Sequence, residues 1–220
     1  MQFDLPTLCV VLGIIMLLLA SFRNIWTFVV GILQVALMSY VNFLNYEYYQ
    51  TFLHIVFFLP MQFYGFWRWY DMGARLSGHT QLRHVRCMTF FRLGHTIGYS
   101  LLLFAVVWPL VYGVYLLLFN VGELQEIVML TVFLDTLLIV CNVVGQILMS
   151  LGYKEQWYYW IVVNVVALAI SVHSLLDQEV GSYDLSKLFM NTLYFLNSIL
   201  GLYLWAKDAE VSLPVSHSDE

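Results

Sequence analysis

Two indoles and a carboxamide share one helical face in the stretch Trp157-Tyr158-Tyr159-Trp160-Ile161-Val162-Val163-Asn164. At 100° per residue, Trp157, Trp160 and Asn164 fall within an arc of about 60°. Indole faces attract flat, electron-poor or cationic rings, and a carboxamide offers a donor and an acceptor to a bound polar group. That is the chemistry of a pocket for a small polar heteroaromatic. The same residues would also serve as an interfacial aromatic belt, with Asn164 bonded to a neighbouring helix.

Further polar side chains interrupt apolar runs elsewhere, where each is costly to place in lipid. Asp135, Asn142 and Gln146 lie within about 40° of one another on a helical face, and Gln34 shares a face with Asn45 and, within about 80°, Asn42. A third run contributes His54, Gln62 and Tyr64 around Pro60, a residue expected to kink its helix and free a backbone carbonyl. A last run contributes Asn191, Tyr194 and Ser198. Taken singly, each polar residue is explained by a hydrogen bond between helices. Taken together, they give at least four helices an inward polar face, which a hydrated pathway requires and a bundle held by packing alone does not. Asp135 is the one carboxylate well inside a run, and no Lys or Arg lies at mid-depth to pair with it. This argues against strong ion coupling and for facilitated diffusion.

The elements that must position these residues follow from composition. A chain of 220 residues that is 61% hydrophobic and only 10% charged is far too apolar for a soluble domain. The expectation is a polytopic, all-α membrane protein. Stretches of about 20 apolar residues cross a bilayer core of about 30 Å, and that rule selects seven segments, approximately 5–22, 25–45, 51–70, 94–118, 127–151, 157–176 and 185–205. With the N-terminus outside, Arg23, Arg68, Arg75, Arg83, Arg86, Arg92, Lys154 and Lys207 share the cytoplasmic side and Lys187 alone lies opposite. This distribution fits the positive-inside rule and puts the C-terminus in the cytoplasm. No basic residue precedes Arg23, so the first segment is expected to stay as a helix rather than leave as a signal peptide. The loop at 71–93, with Arg75, Arg83, Arg86, Arg92, His79 and His84, reads as an anchor facing anionic lipid. The acidic tail at 206–220, which contains Pro214, is expected to be disordered.

Several functions are excluded or unsupported. The net charge of −5 belongs to loops and tail, and no surface for nucleic acid is visible. Cys9, Cys87 and Cys141 are too far apart for a disulfide framework or a metal-ligand spacing, so no metal or cofactor is expected. An embedded enzyme would need a nucleophile with its base or a metal cluster, yet neither H-E-x-x-H nor G-x-S-x-G occurs. A retinal protein would need a lysine at mid-depth of the last helix, while Lys187 and Lys207 stand at its two ends.

An internal repeat organises the spans. Phe22-Arg23-x-x-Trp26 matches Tyr153-Lys154-x-x-Trp157 and Val35-Ala36-Leu37 matches Val166-Ala167-Leu168, both at an offset of 131, while Gly65 and Trp69 match Gly201 and Trp205 at 136. At the first offset Trp26 is the partner of Trp157, and Leu33 is the partner of Asn164. Three helices invert their own ends, so two copies share one orientation only if a single extra helix joins them. The expected plan is therefore 3+1+3 within one transmembrane domain: repeat one at 5–70, a linker helix at 94–118 and repeat two at 127–205, with the site between the repeats.

Two of these stretches carry a family resemblance. Gln62-Phe63-Tyr64-Gly65-Phe66-Trp67-Arg68-Trp69 resembles the end of the third helix in PnuC-type vitamin transporters, and Lys154 to Asn164 resembles their W-x-x-W-x-x-x-N segment. The resemblance extends to Gly31-Ile32-Leu33-Gln34-Val35 and to Asp135, over nearly the whole chain. It implies uptake of nicotinamide riboside across the bacterial inner membrane by a homotrimer, made productive when the cargo is phosphorylated in the cytoplasm. It further implies that Trp157, Trp160 and Asn164 hold the pyridinium ring and its carboxamide, with Gln34, Gln62, Tyr64, Asn142 and Asp135 as further contacts. His54 and Pro60 depart from the family pattern. The alternative cargo is thiamine, also a cation with flat rings, or another vitamin or nucleoside carried on the same fold.

Overall fold

The computed structural model describes residues 5–46, 48–74, 85–118, 125–177 and 182–211. Seven helical rods account for nearly all of them. The first two are α1 (Leu5–Ser21) and α2 (Trp26–Leu44), and the third is built from α3 (Tyr48–Leu53), a π-helical turn (His54–Phe58) and α4 (Leu59–Trp69). The others are α5 (Phe90–Leu118), α6 (Gln125–Ser150), α7 (Gln156–Asp177) and α8 (Ser182–Lys207). Five stretches, in α2, α5, α6, α7 and α8, are long and apolar enough to cross a bilayer, and α1 is a shorter apolar helix of 17 residues. The protein is thus helical and multi-pass, as composition and periodicity predict.

The third rod shows what Pro60 does. It is the second residue of α4, where its missing N–H is tolerated, and the chain just before it widens so that the Leu59 N–H reaches back to the carbonyl of His54. A proline ring clashes with the carbonyl four residues upstream, and a five-residue bond relieves that clash. The expected kink is a π-turn.

Six of the rods close a ring. α1 packs on α2, α2 on α4, α4 on α6, α6 on α7, α7 on α8 and α8 back on α1, while α5 lies outside the ring against α6. Lipid tails are as apolar as the helices, so tight packing and hydrogen bonds hold such a ring together. At the end that carries Arg23, Lys154 and Lys207, the ring is filled by Phe28, Trp69, Trp157, Trp205, Val85, Met149, Ala20 and Ile25, all buried. Phe28 meets Trp69 edge-on at 4.8 Å, and Trp157 meets Trp205 edge-on at 6.1 Å. Gly65 makes room for the Phe28 ring and Gly201 for the Trp157 ring, since a Cβ at either position would collide with it.

The turns that lead into α2 and α7 are built alike. In the first, Arg23 takes φ 58° and Asn24 N–H reaches the Leu19 carbonyl at 2.8 Å; in the second, Gly152 takes φ 75° and Tyr153 N–H reaches the Leu148 carbonyl at 3.0 Å. These bonds correspond at an offset of 129, which makes Phe28 the counterpart of Trp157 and Gly31 that of Trp160. The sequence match at 131 therefore misplaces the helix by two residues. Trp26, its expected partner for Trp157, is about half exposed at the rim and holds no position in the aromatic cluster.

The same end is tied by extended segments. β1 (Val85–Cys87) pairs in parallel with β2 (Ala209–Val211), and Arg86 bonds through its backbone to the Gly152 carbonyl and the Lys154 N–H. Glu155, almost fully buried, accepts the Met88 N–H at 2.9 Å, and Arg23 pairs with Asp208 at 2.8 Å. The tail expected to be disordered from 206 is instead ordered through Val211, because it supplies the second strand of this sheet. Arg75, His79, Arg83 and His84 of the basic loop, and the tail at 212–220 with Pro214, lie outside the described residues.

Candidate functional site

The ring encloses a cavity of about 400 Å³ whose floor is the aromatic cluster, through Trp157 and Met149. Its volume lies in the range of small-molecule sites. Seven of the eight residues expected to form the site line it: Trp157, Trp160 and Asn164 from α7, Gln34 from α2, Gln62 from α4, and Asp135 and Asn142 from α6.

Each is held in a definable way. Trp160 lies over Gly145, where a Cβ would stand 3.2 Å from the indole, so the glycine sets how closely α6 and α7 approach. Asn164 donates its amide N–H to the Tyr194 carbonyl at 3.1 Å. A carbonyl only accepts, so this bond fixes the orientation of the carboxamide and leaves its oxygen to accept from the cavity. Asn142 is fixed in the same way by the Leu138 carbonyl of its own helix, at 2.8 Å. Gln62 is 2% exposed, its Oε1 has no partner, and it packs against the bare Cα of Gly31. Asp135 accepts a hydrogen bond from the Tyr115 hydroxyl at 2.7 Å.

Of the expected residues, two indoles, four carboxamides and one carboxylate thus converge on one space. The described residues that line it include neither Lys nor Arg. Such a lining suits a flat cation that carries hydrogen-bond donors.

Tyr64 is the exception. It is 40% exposed and leans on Trp67, with ring centroids 6.0 Å apart. Two residues along a helix is about 200°, so a Gln62 side chain facing the cavity turns Tyr64 outward. Asn191, from the stripe on the last span, instead bonds the Ser171 hydroxyl at 2.7 Å and the Ala167 carbonyl at 3.3 Å, the helix-to-helix role open to every polar residue here. His54 and Tyr194, which the sequence places on inward polar faces without a contact to cargo, and Asn197, which belongs to none of the stripes, also line the cavity. Tyr194, Asn197 and Ser198 follow at i, i+3 and i+4, the spacing of a single helical face. Tyr194 places its hydroxyl where a Gly13 Cβ would be 2.9 Å away.

The family model described as nicotinamide mononucleotide transporter matches residues 5–207. The chain belongs to this family. Relatives within reach of the nicotinamide mononucleotide transporter family include the nicotinamide riboside transporter PnuC of Neisseria mucosa, 29% identical over 204 residues, covering 92% of this chain and 72% of that protein. The nicotinamide riboside transporter PnuC of Escherichia coli is 24% identical over 168 residues, covering 72% of this chain and 70% of its own length. A crystal structure of the vitamin B3 transporter PnuC matches with a TM-score of 0.67 and 25% identity, over 92% of this chain and 80% of that one. Membership of a transporter family sets the chain among multi-pass membrane carriers and not among membrane enzymes.

Proposed function

We propose that this protein takes nicotinamide riboside across the membrane by facilitated diffusion. The observation that carries the reading is the lining of the cavity: Trp157 and Trp160 with the acceptor oxygens of Asn164 and Asn142, and Asp135 as the one carboxylate among the described lining residues. A pyridinium ring is flat and cationic, its carboxamide and ribose supply donors, and relatives are named as nicotinamide riboside transporters. The family description names the mononucleotide, whose phosphate would need cationic or multiple N–H partners. A cavity whose described lining has a carboxylate and no Lys or Arg favours the riboside.

In this reading Trp160 and Asn164 recognise the ring and its amide, Trp157 forms the floor, and Gln34, Gln62 and Asn142 meet the ribose. Asp135 bonds to a tyrosine rather than to a basic residue, which supports a passive route made productive by phosphorylation of the cargo in the cytoplasm. We further infer a 3+1+3 plan, with repeats at 5–70 and 127–205 and a linker helix at 94–118. Its support is a set of matched bonds: Trp69 Nε1 to the Met149 carbonyl against Trp205 Nε1 to the Ala20 carbonyl, and Ser150 to Met61 against Ser21 to Asn197. The basic end faces the cytoplasm of a bacterial inner membrane, the N-terminus faces outside, and three copies assemble, each with its own route.

Titration calorimetry on the purified protein with nicotinamide riboside, nicotinamide mononucleotide and thiamine tests the cargo. Preferential binding of the riboside is expected, and tighter binding of thiamine or the mononucleotide overturns the assignment. Uptake into liposomes that accumulates cargo only under an imposed proton or sodium gradient overturns passive transport.

A further inference from the structure

Tyr115 belongs to α5, outside the ring, yet its hydroxyl reaches Asp135, which lines the cavity on α6. The contact is 2.7 Å long, in the range of a hydrogen bond to a charged oxygen. It sits beside an aromatic patch where Trp108 and Phe104 of α5 meet Phe133 of α6, with centroids 5.9 and 5.6 Å apart. This packing would hold α5 on α6 without any polar bond.

We propose that Asp135, positioned by Tyr115, is the element that makes the cavity select for positive charge. The proposal rests on the cargo reading above and adds the basis of its selectivity. A carboxylate offers about four lone-pair sites, and the Tyr115 hydroxyl occupies one of them, on Oδ2. The rest remain for the cavity. The other titratable side chains among the described lining residues are His54 and Tyr194, neither of which adds a negative charge. The carboxylate field is therefore unopposed by any Lys or Arg among the described lining residues, and it acts on a cationic ring over several ångströms. The indole faces of Trp157 and Trp160 favour a cationic ring only modestly over a neutral one; the carboxylate adds the larger charge term. Tyr115 contributes by fixing one carboxylate oxygen, so that the charge stays at the cavity wall instead of turning between rotamers.

The test compares two ligands of nearly the same shape: nicotinamide riboside, a cation, and its uncharged 1,4-dihydro form. Dissociation constants are measured for the wild type, Asp135→Asn, Asp135→Glu and Tyr115→Phe. In the wild type the cation binds more tightly than the neutral form. Asp135→Asn lowers that preference on the order of tenfold or more, chiefly by weakening the cation, while Asp135→Glu retains most of it. Tyr115→Phe lowers it a few-fold. Parallel weakening of both ligands in Asp135→Asn and Tyr115→Phe would mean that the pair only fastens α5 to α6, and the proposal fails. An unchanged preference in Tyr115→Phe with a lost preference in Asp135→Asn removes Tyr115 from the mechanism. A wild type that binds neither ligand overturns the cargo reading, and this inference falls with it. If Asp135→Asn cannot be purified as a folded protein, Asp135→Glu and Tyr115→Phe decide the outcome by the same ratio.

Discussion

The indole N–H of Trp69 donates to the main-chain carbonyl of Met149 at 2.9 Å, joining α4 to the end of α6. Trp205 does the same to the Ala20 carbonyl at 3.0 Å, joining α8 to α1. The two indoles also touch, with centroids 5.8 Å apart, directly below the cavity floor. These bonds span helices that no short loop connects.

Replacing either indole by a phenyl ring removes one interhelical bond. The carbonyls are not orphaned, because Met149 also accepts the Gly152 N–H and Ala20 the Arg23 N–H, at 3.0 and 2.9 Å. The cost of Trp69→Phe or Trp205→Phe is therefore that of a satisfied bond, about 0.5–1.5 kcal/mol each. Thermal unfolding in detergent should show a drop of a few degrees for each. Trp69→Ala, which also opens a void in a fully buried cluster, should cost about 3–5 kcal/mol. A Phe variant as damaged as the Ala variant would show that the bond, and not the packed ring, carries the contact.

Glycines beneath the aromatic rings give a second test. A Cβ at Gly201 would overlap the Trp157 indole, whereas one at Gly113 on α5 meets nothing within 4 Å. Gly201→Ala must displace an indole that forms the cavity floor, so a loss of about 1–3 kcal/mol in stability and a weaker cargo affinity are expected. Gly113→Ala should be neutral to slightly stabilising, by up to about 1 kcal/mol, through helix propensity alone. Equal melting temperatures for the two variants would mean that the Trp157 ring has room to move.

The turn before α7 makes a third. Gly152 sits at φ 75° and Arg23, in the matching turn before α2, at φ 58°. An L-residue in this left-handed region costs roughly 1–2 kcal/mol, which glycine avoids. Gly152→Ala should lower stability by about that amount, and Arg23→Gly should be close to neutral because the relief is offset by losing the ion pair to Asp208. In Gly152→Ala the unfolding midpoint falls; in Arg23→Gly it stays within about a degree.

How far the sequence could be read depends on which signals are local. The α7 face was legible because Trp157, Trp160 and Asn164 repeat with the helical period on one element, and all three line the cavity. Asp135 and Asn142 were legible for the same reason. Tyr64 stands two positions from Gln62, on the opposite side of the helix, and does not belong to the described lining of the cavity. The repeat offset at α2 and α7 was drawn to the shared tryptophan, but the backbone bonds of the two turns align Phe28 with Trp157, and only a neighbour in space (Gly65 or Gly201) marks that correspondence. The pairing of Val85–Cys87 with Ala209–Val211 joins distant parts of the chain and leaves no pattern in either segment. Tyr115 carries no marker at all, since its partner Asp135 lies on another helix.

Asn164 offers the sharpest test of the site itself. One of its two amide N–H groups is used by the Tyr194 carbonyl, which orients the carboxamide and leaves its oxygen as the acceptor for cargo. Asn164→Ala removes both the acceptor and a bond between α7 and α8, and nicotinamide riboside binding should weaken by about 1–3 kcal/mol, or roughly ten- to a hundred-fold. Tyr64→Ala, on the outward face of α4, should change affinity by less than about twofold, because that ring touches Trp67 and not the cavity. Calorimetric titration of the two variants side by side separates the readings. If Asn164→Ala binds as the wild type does, Asn164 serves only to join α7 to α8. If Tyr64→Ala loses as much affinity as Asn164→Ala, the site extends beyond the cavity enclosed by the six helices.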